Sequence, residues 1–119
     1  ENYDLPKKAC RVAGLSDGAL AALMLCQRKN IPFCKAAFLA GMRPFDVEAM
    51  PKIPVYVIHG TDDPIFPVMS VRKMTESLRA HAPEVTYREL EGAPHSFPYP
   101  EIDALMDWFL EAHANAPSG

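Results

Sequence analysis

The sequence has no apolar run that approaches the roughly 20 residues a membrane-spanning helix needs, and nothing in it reads as a signal peptide. The expected setting is therefore the cytoplasm. Clustered positive charge is lacking too. Lys and Arg number 12 against 15 Asp and Glu, they are scattered, and the formal net charge is −3. There is no electrostatic case for nucleic acid or for an anionic membrane surface. Cysteine is scarce: Cys10, Cys26 and Cys34 form no C-x-x-C, and all lie in apolar stretches. That pattern argues against a disulfide framework, a redox motif or a metal site, and predicts buried free thiols in a reducing compartment. Internal repeats and low-complexity segments are absent as well.

What is present has globular character. The 119 residues are 49% hydrophobic and 23% charged, which suits one domain of ordinary size. Most of the twelve prolines fall at the edges of predicted elements, where they punctuate the chain. After a polar connector over 1–8, residues 9–13 read as a strand and 17–29 as an Ala- and Leu-rich helix ending in Gln27-Arg28-Lys29. Residues 34–40 read as a second strand closed by Gly41, followed by a loop holding Pro44 and Pro51. Residues 54–60 are β-branched and almost continuously apolar, as expected of a strand covered on both faces.

Val71, Met74 and Leu78 give a helical period over 68–81, and 85–90 reads as a fourth strand. Over 101–114, Ile102, Leu105, Met106, Phe109 and Leu110 share one predicted helix face, with Asp103, Asp107 and Glu111 opposite. Strands alternating with helices predict an α/β fold: a parallel sheet of about four strands with helical cover on both faces.

Gly14-Leu15-Ser16-Asp17-Gly18 fits G-x-S-x-G between a predicted strand and a predicted helix. A strand, a tight turn and a helix lift a serine hydroxyl into the open at a sheet end. The two glycines are expected because side chains would crowd so sharp a turn. Ser70, Ser77, Ser96 and Ser118 have no such context.

A serine hydroxyl is a poor nucleophile near neutral pH and needs a base and a group to orient that base. Thr61-Asp62-Asp63-Pro64 follows strand 54–60, and Glu91-Gly92-Ala93-Pro94-His95-Ser96-Phe97 follows strand 85–90. Both loops lie past a strand's C-terminal end, the edge where open α/β sheets place their sites. Asp62 and Asp63 compete for the acid's role, and the other caps a turn or faces solvent. His95, on its loop, is the candidate base. His59 ends a buried strand and reads as structural. His81 and His113 lie at helix ends, where exposure or the helix dipole explains them. Asp17 reads as a solvated helix-start acid whose backbone N–H can donate to an oxyanion.

These three segments, the second extending from Ile53 to Pro67, together resemble the α/β-hydrolase superfamily, and within it the phospholipase/carboxylesterase group. Polyhydroxybutyrate-depolymerase-like and dienelactone-hydrolase-like esterases are near neighbours. In that group an H-G-x-x-D-P segment carries the acid before proline, so the resemblance selects Asp63; an E-G-x-x-H segment carries the base, matching His95. Two local departures stand out: Ala19 where relatives often have a second glycine, and Pro94 where they usually have glycine. The resemblance covers most of residues 9–112.

The resemblance implies a serine hydrolase for small-molecule carboxylic esters or thioesters, with Ser16 as nucleophile, His95 as base, Asp63 as orienting acid and the Asp17 amide as an oxyanion donor. No metal or cofactor is implied. Met42, Phe66 and Phe97 flank the site loops and are candidates to line an acyl pocket. Family members carry about four further strands before the elbow, so residues 1–119 read as a single, partial domain, the C-terminal half of the fold. Strand 9–13 would then be a bare apolar edge, and a second polypeptide or second copy is expected to complete the sheet. The alternative function is a non-catalytic, truncated hydrolase half acting as a structural or binding module.

Overall fold

In a computed structural model of the chain, which describes residues 10–28, 31–95 and 101–110, the elements run β1 (Cys10–Leu15), α1 (Asp17–Cys26), β2 (Phe33–Leu39), a 3-10 turn (Val47–Ala49), β3 (Val55–Gly60), α2 (Val68–Arg79), β4 (Val85–Leu90) and α3 (Ile102–Leu110). The four strands form one parallel sheet in the order β1-β2-β3-β4. The predicted α/β architecture is what the chain adopts.

The sheet is covered on both faces. Ala36, Phe38, Val55 and Val57 pack with Ala19, Ala22, Leu23 and Cys26 of α1 and Val71 and Leu78 of α2. Ala37, Leu39, Tyr56 and Ile58 pack with Leu105 and Trp108 of α3. All six residues of β3 are buried, which explains its unbroken apolar character. Among the described residues β1 pairs only with β2, so it forms one edge of the sheet.

Several boundaries and faces differ from expectation. β1 runs on to Leu15, because Gly14 and Leu15 still pair with Phe38 and Leu39. α1 stops at Cys26, since the chain must turn back to begin β2 at Phe33; Gln27 caps the helix end, its Nε2 donating to the Leu23 carbonyl at 3.1 Å. β2 ends one residue early, as Ala40 takes a positive φ of 53°. α2 ends at Arg79, where the Ala82 amide bonds back to Leu78 O at 2.7 Å. Met74 of its predicted stripe is half-buried, and Thr75 is buried with Val71 and Leu78.

The buried stripe of α3 is rotated from the expected one. It centres on Leu105 and Trp108, while Met106 and Leu110 are exposed. Trp108 stands edge-on to Tyr56, with ring centroids 5.1 Å apart. The Arg11 Nη1 donates to Phe109 O at 2.6 Å, and the buried Lys35 amine donates to Trp108 O, so cations from β1 and β2 meet the last turn of α3. Of the cysteines only Cys26 is buried, its thiol pushed up to about 12 by burial; Cys10 and Cys34 are half-buried. Ala9, Lys29, Ser96, Phe97 and residues 111–114, including His113, lie outside the described residues.

Candidate active site

The turn at the end of β1 is made by Ser16 itself, with φ 57° and ψ −117°. A non-glycine residue held there stores backbone strain, the kind that collects at functional sites. Surrounding structure enforces it. The Ser16 amide donates to Leu39 O at 2.8 Å, continuing the sheet ladder, and its carbonyl accepts from Ala19 N–H at 2.9 Å, beginning α1. Backbone hydrogen bonds therefore fix the residue on both sides.

The two motif glycines are not equivalent. A Cβ at Gly14 would lie 2.0 Å from the Gly18 carbonyl oxygen, so strand and helix can approach only without it. A Cβ at Gly18 meets nothing within 4 Å. The expectation that both glycines are sterically required is corrected: Gly14 is, Gly18 is not. Two further glycines serve the same edge. At Gly41 a Cβ would sit 2.5 Å from Ser16 O, and at Gly60 2.3 Å from Ala93 O.

The close approach at Gly60 brings the loop after β4 onto the loop after β3. Asp62 N–H donates to Ala93 O at 2.9 Å, and Gly92 N–H to the Thr61 hydroxyl at 2.7 Å. His95 follows directly. Its Nε2 lies 2.8 Å from Ser16 Oγ and its Nδ1 2.7 Å from Asp63 Oδ2. A carboxylate only accepts, so Nδ1 carries the hydrogen in this pairing, and Nε2 is left to accept from the serine hydroxyl. Pro94 is thus compatible with a histidine that reaches both partners.

Asp63 is buried and fully engaged. Its Oδ1 accepts from the amides of Ile65 at 2.7 Å and Phe66 at 2.9 Å, while Oδ2 faces His95. Burial alone would push this carboxyl up. The hydrogen bonds from Phe66 N–H, His95 and Ile65 N–H outweigh burial and hold it below the usual carboxylate range. Asp62 is exposed, its side chain accepting among the described residues from its neighbour Thr61 at 3.4 Å.

Phe66 is a joint that sequence reasoning did not identify as such. Its amide binds Asp63, its carbonyl accepts from His59 Nε2 at 2.6 Å, and its ring centroid lies 5.7 Å from that of His95. The Arg43 guanidinium sits 5.1 Å over the Phe66 ring. Met42 is buried in the core beneath β2. Phe97 lies outside the described residues, as noted. Asp17 is exposed and opens α1, so its N–H is one of the donors with no acceptor inside the helix. His59 is buried, as expected, and the Nε2 of His81 donates to Met50 O at 2.7 Å. Among the described residues, no group of three or more His, Cys, Asp or Glu could hold a metal ion, and no helix is long and apolar enough to cross a membrane.

Solved structures share this fold. A thermostable esterase superposes with a TM-score of 0.76 at 24% identity, over 90% of this chain and 32% of that one. Arabidopsis thaliana SOBER1 gives a TM-score of 0.69 at 22% identity, over 83% and 50% of the two chains. Zea mays acyl-protein thioesterase 2 gives 0.63 at 21%, over 82% and 53%. The chain therefore spans about half the length of the two plant proteins and a third of the esterase. No curated protein matches it in sequence. Residues 2–114, nearly the whole chain, match the family described as Phospholipase/Carboxylesterase. With a four-stranded parallel sheet, its helical layers and that match in hand, the chain belongs to the phospholipase/carboxylesterase family of α/β hydrolases.

Proposed function

We propose that this chain carries the nucleophilic half of a serine hydrolase for small-molecule carboxylic esters or thioesters. The observation that carries the reading is the continuous relay from Ser16 Oγ through His95 to Asp63, at 2.8 and 2.7 Å, on a strained turn. A thioesterase among the solved relatives keeps thioesters within the substrate class.

Ser16 Oγ attacks the acyl carbon while its proton passes to His95 Nε2. The Nδ1–H bond to Asp63 holds the imidazole in the tautomer that can accept that proton and steadies the imidazolium that results. The carbonyl oxygen becomes an oxyanion, to which the Asp17 amide at the start of α1 would donate. As the tetrahedral intermediate collapses, Nε2 returns the proton to the departing alcohol or thiol. Water, deprotonated by Nε2, then attacks the acyl carbon, and Nε2 returns that proton to Ser16 Oγ as the carboxylic acid departs. Phe66, buried under His95, supports the relay from below, while Met42 packs in the core and leaves Phe97 as the candidate to line an acyl pocket.

Among the described residues β1 has a partner strand on one side alone. A second polypeptide segment, or a second copy, is expected to extend the sheet there and to supply a further oxyanion donor. Native mass measurement tests that part: a species heavier than the single chain supports it, and a strict monomer with full activity contradicts it. For the chemistry, Ser16→Ala should lower p-nitrophenyl butyrate turnover by about 10³-fold or more, because the relay acts as a unit. Turnover near the parent level in a folded variant would refute the assignment.

A further inference from the structure

His59 ends β3 and is 1% exposed. Its Nδ1 has no hydrogen-bond partner among the described residues. A buried polar group with half its capacity unmet is unfavourable, and an apolar side chain of similar size would fill this site without that cost. The reason for a histidine must lie in what its other nitrogen does.

Nε2 donates to Phe66 O at 2.6 Å and lies 3.7 Å from Asp63 Oδ2. Phe66 is the residue whose amide holds Asp63 Oδ1 and whose ring lies tilted against that of His95. His59 therefore closes the turn 63–66 from behind. One end of that turn is pinned by the Asp63 carboxylate on the amides of Ile65 and Phe66, the other by His59 on the Phe66 carbonyl. The same N–H sets a positive dipole end near Oδ2, the oxygen that carries His95. Across the sheet, Glu89 is in register with His59 but is already engaged by Arg72 and Tyr87, which leaves the histidine's N–H to the turn.

Resting on the Ser16–His95–Asp63 reading above, we propose that His59 is a positioning residue. Through the Phe66 carbonyl it fixes the turn that aims Asp63 Oδ2 at His95, and it touches neither substrate nor the reacting atoms. A small displacement there is transmitted straight to the imidazole, because Asp63 and His95 are in direct contact. Misplacement of a catalytic group by about 1 Å can cost 10²-fold in rate.

The test compares His59→Leu and His59→Gln in the full chain, with p-nitrophenyl butyrate, well below each variant's melting temperature and normalised to folded protein. The leucine removes the donor. The glutamine retains a side-chain N–H that can reach the Phe66 carbonyl. The expected result is a kcat lowered about tenfold or more in His59→Leu, with KM within about twofold, and recovery to within about threefold of the parent in His59→Gln. If His59→Leu does not fold, His59→Asn replaces it, an amide too short to reach that carbonyl, and the Gln–Asn comparison carries the same expectation. Parent-like kcat per folded molecule without the donor, or equal losses in Gln and in the donor-less variant, would overturn the proposal. Ser16→Ala run alongside separates the two readings: if it keeps activity, the relay itself is wrong; if it is inactive while His59→Leu matches the parent, only the role of His59 falls.

Discussion

Gly14→Ala and Gly18→Ala should have opposite signs, although the motif presents the two glycines symmetrically. At Gly14 the added Cβ would stand 2.0 Å from Gly18 O, 2.3 Å from Gly18 C and 2.6 Å from Ala19 N, all backbone atoms. Real Cβ contacts do not fall below 3.0 Å, so β1 and the first turn of α1 must part by about 1 Å or more. No side chain can rotate away to absorb it. Overpacking of this kind costs about 1–3 kcal/mol, and a backbone-on-backbone clash belongs at the upper end. Ser16 lies between the two displaced segments, so the hydroxyl moves as well, and a shift of about 1 Å is enough for roughly a hundredfold loss in turnover.

At Gly18 the new methyl group enters open space within a helix, and the backbone there is not in the left-handed region. Alanine should stabilise the chain by about 0.5–1 kcal/mol, with activity within about threefold of the parent. Urea denaturation and p-nitrophenyl butyrate kinetics on both variants decide it. Equal stabilities, or a Gly14→Ala variant as active as Gly18→Ala, would refute the close-approach argument.

Three further outcomes follow from the geometry. Asp63→Asn should reduce kcat/KM by about 10²–10⁴-fold while Asp62→Asn stays within a few fold, since only Asp63 meets His95 and an amide there no longer enforces the tautomer; steady-state kinetics rank the two. Asp63 is held below its usual range, and Glu89 is lowered to about 2, chiefly by the Arg72 hydrogen bond. Both contribute stability that is present above the unfolded values near about 4 and is lost as pH falls through the folded ones. Denaturation midpoints should therefore drop between about pH 5 and about pH 2, and Glu89→Gln should flatten that decline. Trp108→Ala should destabilise the chain by about 3 kcal/mol in thermal or urea melts, because the indole fills the space between α3 and Tyr56.

Much of this was legible in the residues for identifiable reasons. β3 announces itself because a strand buried on both faces has no polar positions to interrupt its apolar run. Ser16, Asp63 and His95 could be named because each stands on a loop just past a strand end, and parallel topology gathers those loops at one edge. Asp62 and Asp63 could not be told apart from residue type alone. What separates them is the turn that offers the amides of Ile65 and Phe66 to one carboxylate and solvent to the other.

The face of α3 was misjudged because its apolar residues nearly encircle the helix. Which side is buried is decided by Tyr56 and Lys35 on the sheet, not by the period. The close contacts at Gly60 and Gly41 could not be read from the sequence, because close approach to a backbone from another segment leaves no mark in local sequence. His59 read as an ordinary buried residue for the same reason: its partner is a carbonyl seven positions on, and main-chain partners have no sequence code.

The central claim is that Ser16 Oγ, activated by His95, is the nucleophile. Intact-mass and peptide-level mass spectrometry after treatment with a fluorophosphonate tests it most directly. The account predicts a single adduct on Ser16 in the folded chain, no adduct in Ser16→Ala, and labelling slowed by about 10²-fold or more in Asp63→Asn. No reaction in a folded, sheet-complete sample, or an adduct on any other residue with Ser16 unmodified, would contradict it.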